Sequence, residues 1–262
     1  MTLSLFDRPA VLFLPASRAS AIARARASAA DLVILDLEDA VKAGDKAGAR
    51  AAAVAAVADR WPMPVAIRIN GVGTAEHDTD LAAALDSGCD LIVFPSVRGA
   101  GEIPIAAKPI AAMIESASAV LDSPAIARAC AALIVGTNDL ASDLRLPGVD
   151  RSAMGYALQA TVLAARAAGI AVFDGVFNRL DDPAGFAAEA AQSRALGFDG
   201  KSLIHPDQIA PCHAAFAPSA EELGRAERLV AAATDGAERF EGEMVEAMHV
   251  ALAQRLIERA RR

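Results

Sequence analysis

Aromatic side chains are almost missing from this chain of 262 residues: nine Phe, one Trp and one Tyr, 4% in all. So few rings leave little to build a base-stacking surface for single-stranded nucleic acid. Basic runs are missing too. The formal net charge is −8, and no Lys/Arg block breaks the acidic balance, so phosphate backbones would be repelled and no nucleic-acid partner is expected. Cysteine is scarce and odd in number. Cys89, Cys130 and Cys212 lie far apart, which excludes a disulfide framework or zinc knuckle and reads as unpaired thiols in a reducing compartment. No stretch nears the ~20 unbroken apolar residues of a spanning helix. The N-terminal apolar run is broken by Asp7, Arg8 and Pro9 and has no basic flank, so it is a poor signal peptide. A soluble cytoplasmic protein without a membrane partner is expected. The 18 Gly and 13 Pro show no period, which excludes collagen-like and low-complexity classes.

Alanine is plentiful: 65 residues, about a quarter of the chain, and it is the strongest helix former. Hydrophobic residues reach 54%, enough at this length for a substantial core. Eight short apolar runs stand out at 11–15, 32–37, 65–70, 91–95, 110–115, 133–138, 171–176 and 202–206. They are uniformly apolar rather than alternating, as in parallel strands buried on both faces. Ala-rich amphipathic segments separate most of them, at 20–30, 46–58, 76–87, 152–168 and 183–196. Gly88, Gly169 and Gly197 each follow such a segment, where glycine commonly ends a helix in the left-handed conformation. The connection 96–109, with two Gly and two Pro, has room for only a short helix. Eight strand–helix units predict an α/β fold, a (β/α)8 TIM barrel over residues 1–217. A doubly wound open sheet is the alternative. It is weakened because no Gly-x-Gly-x-x-Gly follows any strand. Residues 218–262 read as a helical extension, with helices at 221–233 and 244–261 and a glycine-containing break at 235–242, packed on its own barrel or swapped with a neighbouring subunit.

Polar residues collect where the predicted strands end: Asp36, Glu38 and Asp39 after the second, Arg68 and Asn70 on the third, and Glu115 and Ser116 on the fifth. Thr137, Asn138 and Asp139 follow the sixth, Asp174 lies in the seventh, and His205 ends the eighth. Each has a structural reading. Asp36, Asp39 and Asp139 suit helix caps, Arg68 an ion-pair partner, and His205 a structural histidine. Barrel active sites, however, sit on the rim formed by these strand ends. Carboxylates crowded there repel one another unless a cation or protons balance them. With oxygen donors, no thiols and one His, the cation indicated is Mg²⁺, with Mn²⁺ as a substitute, held by Glu115 and Asp139. Such an ion polarises a carbonyl, and a planar, permanently charged Arg68 suits a carboxylate or enolate.

Leu35-Asp36-Leu37-Glu38-Asp39-Ala40-Val41, followed by Lys46 and Arg50, resembles a signature of the citrate lyase beta-subunit-like family of the HpcH/HpaI aldolase superfamily. Further segments match in the family's order. They are Leu12-Phe13-Leu14-Pro15 with Arg18, Ile67-Arg68-Ile69-Asn70, Met113-Ile114-Glu115-Ser116, Gly136-Thr137-Asn138-Asp139-Leu140, Gly197-Phe198-Asp199-Gly200-Lys201, Ile204-His205-Pro206-Asp207-Gln208-Ile209, Phe216-Ala217-Pro218-Ser219 and Phe240-Glu241-Gly242-Glu243-Met244-Val245. The resemblance spans essentially the whole chain. It implies a barrel with C-terminal helices exchanged between subunits, commonly in homotrimers. It implies Mg²⁺ on Glu115 and Asp139, a substrate-binding Arg68, and substrate contacts from Glu115, Thr137 and Asn138. Family members cleave or form 3-hydroxyacyl-CoA thioesters such as citryl-, malyl- and citramalyl-CoA, so coenzyme A arrives as part of the substrate. Asp36, Glu38, Arg18 and His205 are supporting candidates, and Arg18, Lys46 and Arg50 are candidates for the CoA phosphates. One position departs from the pattern. Where several lyases of the family carry a proton-handling Asp, this chain has Glu246, whose extra methylene displaces the reacting oxygen. A 2-oxo acid aldolase acting without CoA, and a non-catalytic subunit of a lyase complex or metabolite-binding protein, are the alternatives.

Overall fold

The computed structural model describes residues 3–233 and 236–260; the side chains of Glu238 and Arg259 fall outside that description. The chain divides into two compact units, Met1–Ala215 and Phe216–Arg262. In the first, eight parallel strands close into a barrel in sequence order. They are β1 (Ala10–Pro15), β2 (Leu32–Asp36), β3 (Val65–Arg68), β4 (Leu91–Phe94), β5 (Ile110–Ile114), β6 (Ala132–Val135), β7 (Ala171–Asp174) and β8 (Gly200–Leu203). Closure pairs the first strand with the last, Val11 opposite Ser202. This rules out the open doubly wound sheet.

The helices are α1 (Ala19–Arg26), α2 (Lys46–Ala58), α3 (His77–Asp86), α4 (Ala117–Ala129), α5 (Thr137–Asp143), α6 (Gly155–Ala168), α7 (Pro183–Leu196) and α8 (Ile209–Phe216). The connection after β4 carries one 3-10 turn, Ala100–Glu102. Alanine does two things here. It favours the helical backbone, and its small side chain lets a helix lie close on the barrel. In α2, Ala49, Ala53 and Val57, spaced four apart, form the buried stripe. Gly169 and Gly197 cap α6 and α7 with φ of 70° and 96°. Gly88 does not act that way. The residue capping α3 is Ser87 in extended conformation, and a Cβ at Gly88 would run into the Val57 carbonyl. Close approach, not handedness, requires glycine there.

Period-2 alternation divides each strand between the barrel interior and the helical shell. Val11, Ile34, Ala66, Val93, Met113, Ile134 and Phe173 belong to the inner core. Counting on in twos, Asp36, Arg68, Glu115, Gly136 and Gly175 point inward at the C-terminal mouth, whereas Asp174 faces the shell. On β8, Lys201 faces the shell and Ser202 the interior. This strand runs over Gly200–Leu203, earlier than the expected 202–206, because Gly200 packs on the backbone of Pro9, with no room for a Cβ.

In the second unit, α9 (Ala220–Ala232) is capped by Ser219, whose hydroxyl accepts from the Glu222 N–H while the Glu222 carboxylate accepts from the Ser219 N–H. The expected helix from 244 begins later, as α10 (Ala247–Ala260). Before it, β9 (Glu238–Phe240) and β10 (Glu243–Val245) form an antiparallel hairpin. Its two-residue turn, Glu241-Gly242, has positive φ at both positions, matching the twist of a tight hairpin. Asp235 and Arg261, the outer ends of the expected break and helix, lie outside the described residues. Leu229, Val245 and Ala253 anchor this unit's own small apolar core.

Candidate active site

The barrel mouth holds a cavity of about 360 Å³. Arg68, at the end of β3, forms its charged floor. Nε and Nη2 donate to the two Asp36 oxygens at 2.7 and 2.6 Å, a bidentate fork. Nη1 lies 2.8 Å from Glu38 Oε2, and the guanidinium stacks over the Phe13 ring at 5.5 Å. Burial acts to lower the Arg68 pKa, but the Asp36 hydrogen bonds and the charges of Asp36, Glu38 and Asp39 outweigh it and hold the pKa above its ordinary value. Asp36 does more than pair. Its oxygens also accept from the backbone N–H groups of Glu38 and Ala40, at 2.8 and 3.1 Å, folding the loop after β2 over the arginine. The ion-pair reading is therefore realised, whereas the helix-cap reading is not: Asp36 holds a turn, and no helix starts there.

Lys46 and Arg50, the helix-borne candidates for the CoA phosphates, are engaged by partners within the protein. Lys46 Nζ donates to the Leu37 and Glu38 carbonyls and to Asn70 Oδ1 at 2.8, 2.7 and 2.7 Å, pinning the same loop from behind. Arg50 pairs with Asp80 at 2.5 Å and with Glu76, and Asp80 receives the Asn70 N–H at 3.0 Å. Both cations, and Asn70, are scaffolding for the Asp36–Asp39 turn.

The carboxylates carry the strain of the site. Glu115, at the end of β5, is 5% exposed. One oxygen accepts from the Ser96 N–H; the other, Oε2, is buried with no partner. Burial pushes its pKa from 4.5 to about 7 against the Ser96 bond, with Asp139 adding to the rise. Asp139, in the first turn of α5, also sits above its ordinary value through partial burial and Asp39. Glu38 rises to about 8, because desolvation exceeds the pull of Arg68. Gly136 lies flush against Glu115, and a Cβ there would strike the carboxylate. Thr137 Oγ1 and Ser202 Oγ, both buried beside the cavity, also lack partners.

Five acids around one arginine, with a bare buried oxygen among them, fit a bound cation. Two carboxylates, Glu115 and Asp139, could hold such an ion: oxygen donors of this kind and number suit Mg²⁺. Among the described residues no cluster of three or more His, Cys, Asp or Glu side chains is gathered for a metal.

The other expected residues are placed as follows. Asn138 lines the cavity and exchanges amide hydrogen bonds with Asn178, at 2.7 and 3.4 Å. Arg18 is exposed just after β1, outside the cavity wall. His205 turns away from the mouth. Its ring accepts from the Asp207 N–H at 3.3 Å and caps the turn Pro206–Gln208. Asp174 also leaves the rim. It is fully buried behind the wall and bonded to Lys201, Arg151 and Ser193. Glu246 is exposed in the second unit, its N–H donating to His249 Nδ1 at 3.0 Å at the start of α10. Three contributors were not singled out from sequence: Ser96, Asn178 and Ser202. Ser96 acts through a backbone N–H, presented by a left-handed φ of 53°, and no side-chain pattern marks that.

Residues 9–108 and 103–206 match the model of the HpcH/HpaI aldolase/citrate lyase family. The chain belongs to this family. Among curated members it is 36% identical over 266 residues to a (3S)-malyl-CoA thioesterase of Cereibacter sphaeroides, covering 95% of this chain and 93% of the relative. It is 32% identical over 283 residues to the citrate lyase subunit beta of Leuconostoc mesenteroides subsp. cremoris, covering 97% and 93%. A crystal structure of CitE from Mycobacterium tuberculosis, in complex with magnesium, acetoacetate and coenzyme A, matches with a TM-score of 0.89 at 33% identity, covering 97% of this chain and 98% of that one. The HpcH/HpaI resemblance and the (β/α)8 barrel are thus borne out. No helix among the described residues is long and apolar enough to cross a membrane.

Proposed function

We propose that this chain is a Mg²⁺-dependent carbon–carbon lyase acting on a 3-hydroxyacyl-CoA thioester of the malyl, citramalyl or citryl type. The observation that carries this reading is the partnerless buried oxygen of Glu115, beside Asp139 and a fixed Arg68, at the mouth of a family barrel. Names of relatives point the same way: a malyl-CoA thioesterase, a citrate lyase subunit, and a CitE structure holding magnesium and coenzyme A.

Glu115 and Asp139 would hold the ion, which supplies Lewis acidity toward the carbonyl of the 2-oxo acid half. In the cleavage direction the bond between C2 and C3 of the acyl chain breaks. The C3 hydroxyl loses its proton and becomes the carbonyl of the 2-oxo acid, and the electron pair passes to the thioester enolate, which takes up a proton at C2. Arg68, locked in its Asp36 fork, places a permanent positive charge on the cavity floor where negative charge lies on the substrate. Thr137 and Asn138 line the same cavity and orient the acyl chain. Glu246 takes the proton-transfer role implied by the resemblance, delivered by the C-terminal unit of a neighbouring copy in a homotrimer. Arg18 is the candidate for the CoA phosphates. Three unpaired thiols, with burial pushing those of Cys130 and Cys212 up to about 12, fit the reducing cytoplasm.

A turnover screen of malyl-, citramalyl- and citryl-CoA with and without Mg²⁺ tests the reading. Lyase action releases a 2-oxo acid and an intact thioester; hydrolysis releases free CoA thiol. Magnesium-dependent appearance of a 2-oxo acid is the expected result. Thiol release alone would make the chain a thioesterase, and no turnover of any ester would overturn the assignment. Sedimentation equilibrium checks the trimer.

A further inference from the structure

Ser202 is an anomaly in the inner wall of the barrel. Its strand neighbour across the closing seam, Val11, belongs to the apolar core. Ser202 is 2% exposed, and its Oγ has no hydrogen-bond partner. Buried hydroxyls nearly always have one. The two residues beside it in sequence explain nothing: Lys201 faces the shell, and Leu203 is wholly apolar. Inward alternation brings Ser202 to the wall of the mouth cavity, which it lines together with Phe13, Ile204 and Val176. A second partnerless hydroxyl, Thr137 Oγ1, lies in the wall of the same cavity, pressed by Gly175. An apolar pocket holding a few convergent polar groups is the usual form of a site that reads one oxygen of its ligand.

We propose that Ser202 is a specificity-determining contact: its hydroxyl hydrogen-bonds an oxygen on the side chain of the 2-oxo acid half of the substrate, so the cavity prefers a small oxygen-bearing substituent to an alkyl one of equal size. The inference rests on the magnesium-dependent lyase reading and adds to it a choice among acids. Ser202 stands on β8, separated by β7 from β6, which leads to Asp139. A fragment whose carboxylate and oxo group are held at Glu115 and Asp139 would have its substituent left to reach Ser202. The Ser202 hydroxyl itself is buried, so leaving it unmatched is costly. A site built around such a buried group rejects an isostere that lacks the complementary oxygen.

The test uses two acids of one size in saturating Mg²⁺: 3-hydroxypyruvate, which ends in CH2OH, and 2-oxobutyrate, which ends in CH2CH3. Dissociation constants are measured by calorimetry on the full chain and on Ser202→Ala and Ser202→Thr. We expect the unaltered protein to favour hydroxypyruvate by about ten-fold, Ser202→Ala to lose that preference, and Ser202→Thr to keep most of it. Magnesium-dependent binding of both acids with the same ratio in Ser202→Ala would overturn the Ser202 assignment and leave the lyase reading standing. A lowered melting temperature with that unchanged ratio would mean that Ser202 holds only a structural water, which also overturns it. Failure of the unaltered protein to bind any 2-oxo acid in Mg²⁺ would overturn both.

Discussion

Two ionic clusters sit at the same end of the barrel wall, one on its inside and one on its outside. Outside, Asp174 and Glu189 face Lys201 and Arg151. Lys201 Nζ donates to Asp174, the Gly175 carbonyl and Glu189 at 3.2, 2.6 and 2.7 Å, and Ser193 donates to Asp174. Burial alone would raise the Asp174 pKa, but Lys201, Arg151 and Ser193 hold it below the ordinary range. Inside, Asp36, Glu38, Asp39, Glu115 and Asp139 share Arg68, and the carboxyls of Glu38, Glu115 and Asp139 are pushed up. The chain balances charge where it needs only stability. It leaves charge unbalanced where something must bind.

That contrast can be broken in four places. The largest effect is expected from Asp139→Ala. Turnover dependent on Mg²⁺ should fall at least ~1,000-fold, since Lewis-acid stabilisation is lost, while the melting temperature stays within a few degrees because Asp139 is exposed. Full activity in the variant would remove Asp139 from the site. On the outer cluster, Lys201→Met leaves Asp174 buried without its main partner. A loss of about 3–5 kcal/mol, read by urea unfolding, is expected; a loss below about 1 kcal/mol would show that the two clusters do not differ as argued.

The third prediction concerns pH. A carboxyl with a raised folded-state pKa keeps its proton in the native protein after the unfolded chain has released it. Ionisation then opposes folding, so stability declines as pH rises from 4.5, the ordinary value of Glu115, through its folded value of about 7. Glu115→Gln should recover roughly 2 kcal/mol at pH 8 and nothing at pH 4, and should no longer be stabilised by Mg²⁺. Equal unfolding curves for variant and parent at pH 8 would mean the inner cluster carries no such penalty. The smallest effect belongs to Arg151→Lys, which keeps the charge but loses the fork that reaches Asp174 at 2.9 and 3.2 Å. About 1 kcal/mol of stability should be lost with kcat unchanged; a drop in kcat would tie the outer cluster to chemistry.

The sequence announces the barrel because strands buried on both faces are apolar at every position, and eight such runs separated by Ala-rich helices have few other solutions. The same property hides which side chains point inward. Where both faces are apolar there is no alternation to read, so Asp174 looked like a rim residue although it is one position out of phase with Phe173 and Gly175. The placement of Arg68 and Glu115 at the barrel mouth was legible because a polar group at the end of an apolar run needs a reason to be there, and that of Asp139 because it follows such a run directly. The partners of Lys46 and Arg50 were not legible, because a charge on a helix shows none until the fold brings the Leu37 and Glu38 carbonyls to Lys46, and Glu76 and Asp80 to Arg50. The β9–β10 hairpin was concealed in what read as a helix break, where only Glu241-Gly242 between two short runs marks the turn.

The seam between β1 and β8 sets an order of assembly. Glu115 and Asp139 ride on neighbouring stretches joined by α4 and β6, so a growing chain that has emerged as far as α5 already carries the whole carboxylate pair. Ser202 reaches the cavity only when the last strand zips onto the first, the most distant pairing in the barrel and the kind that forms slowly. On the proposed assignments, the residues that would hold the ion are thus made before the strand that would choose the acid, and the two meet in one cavity only when the barrel closes.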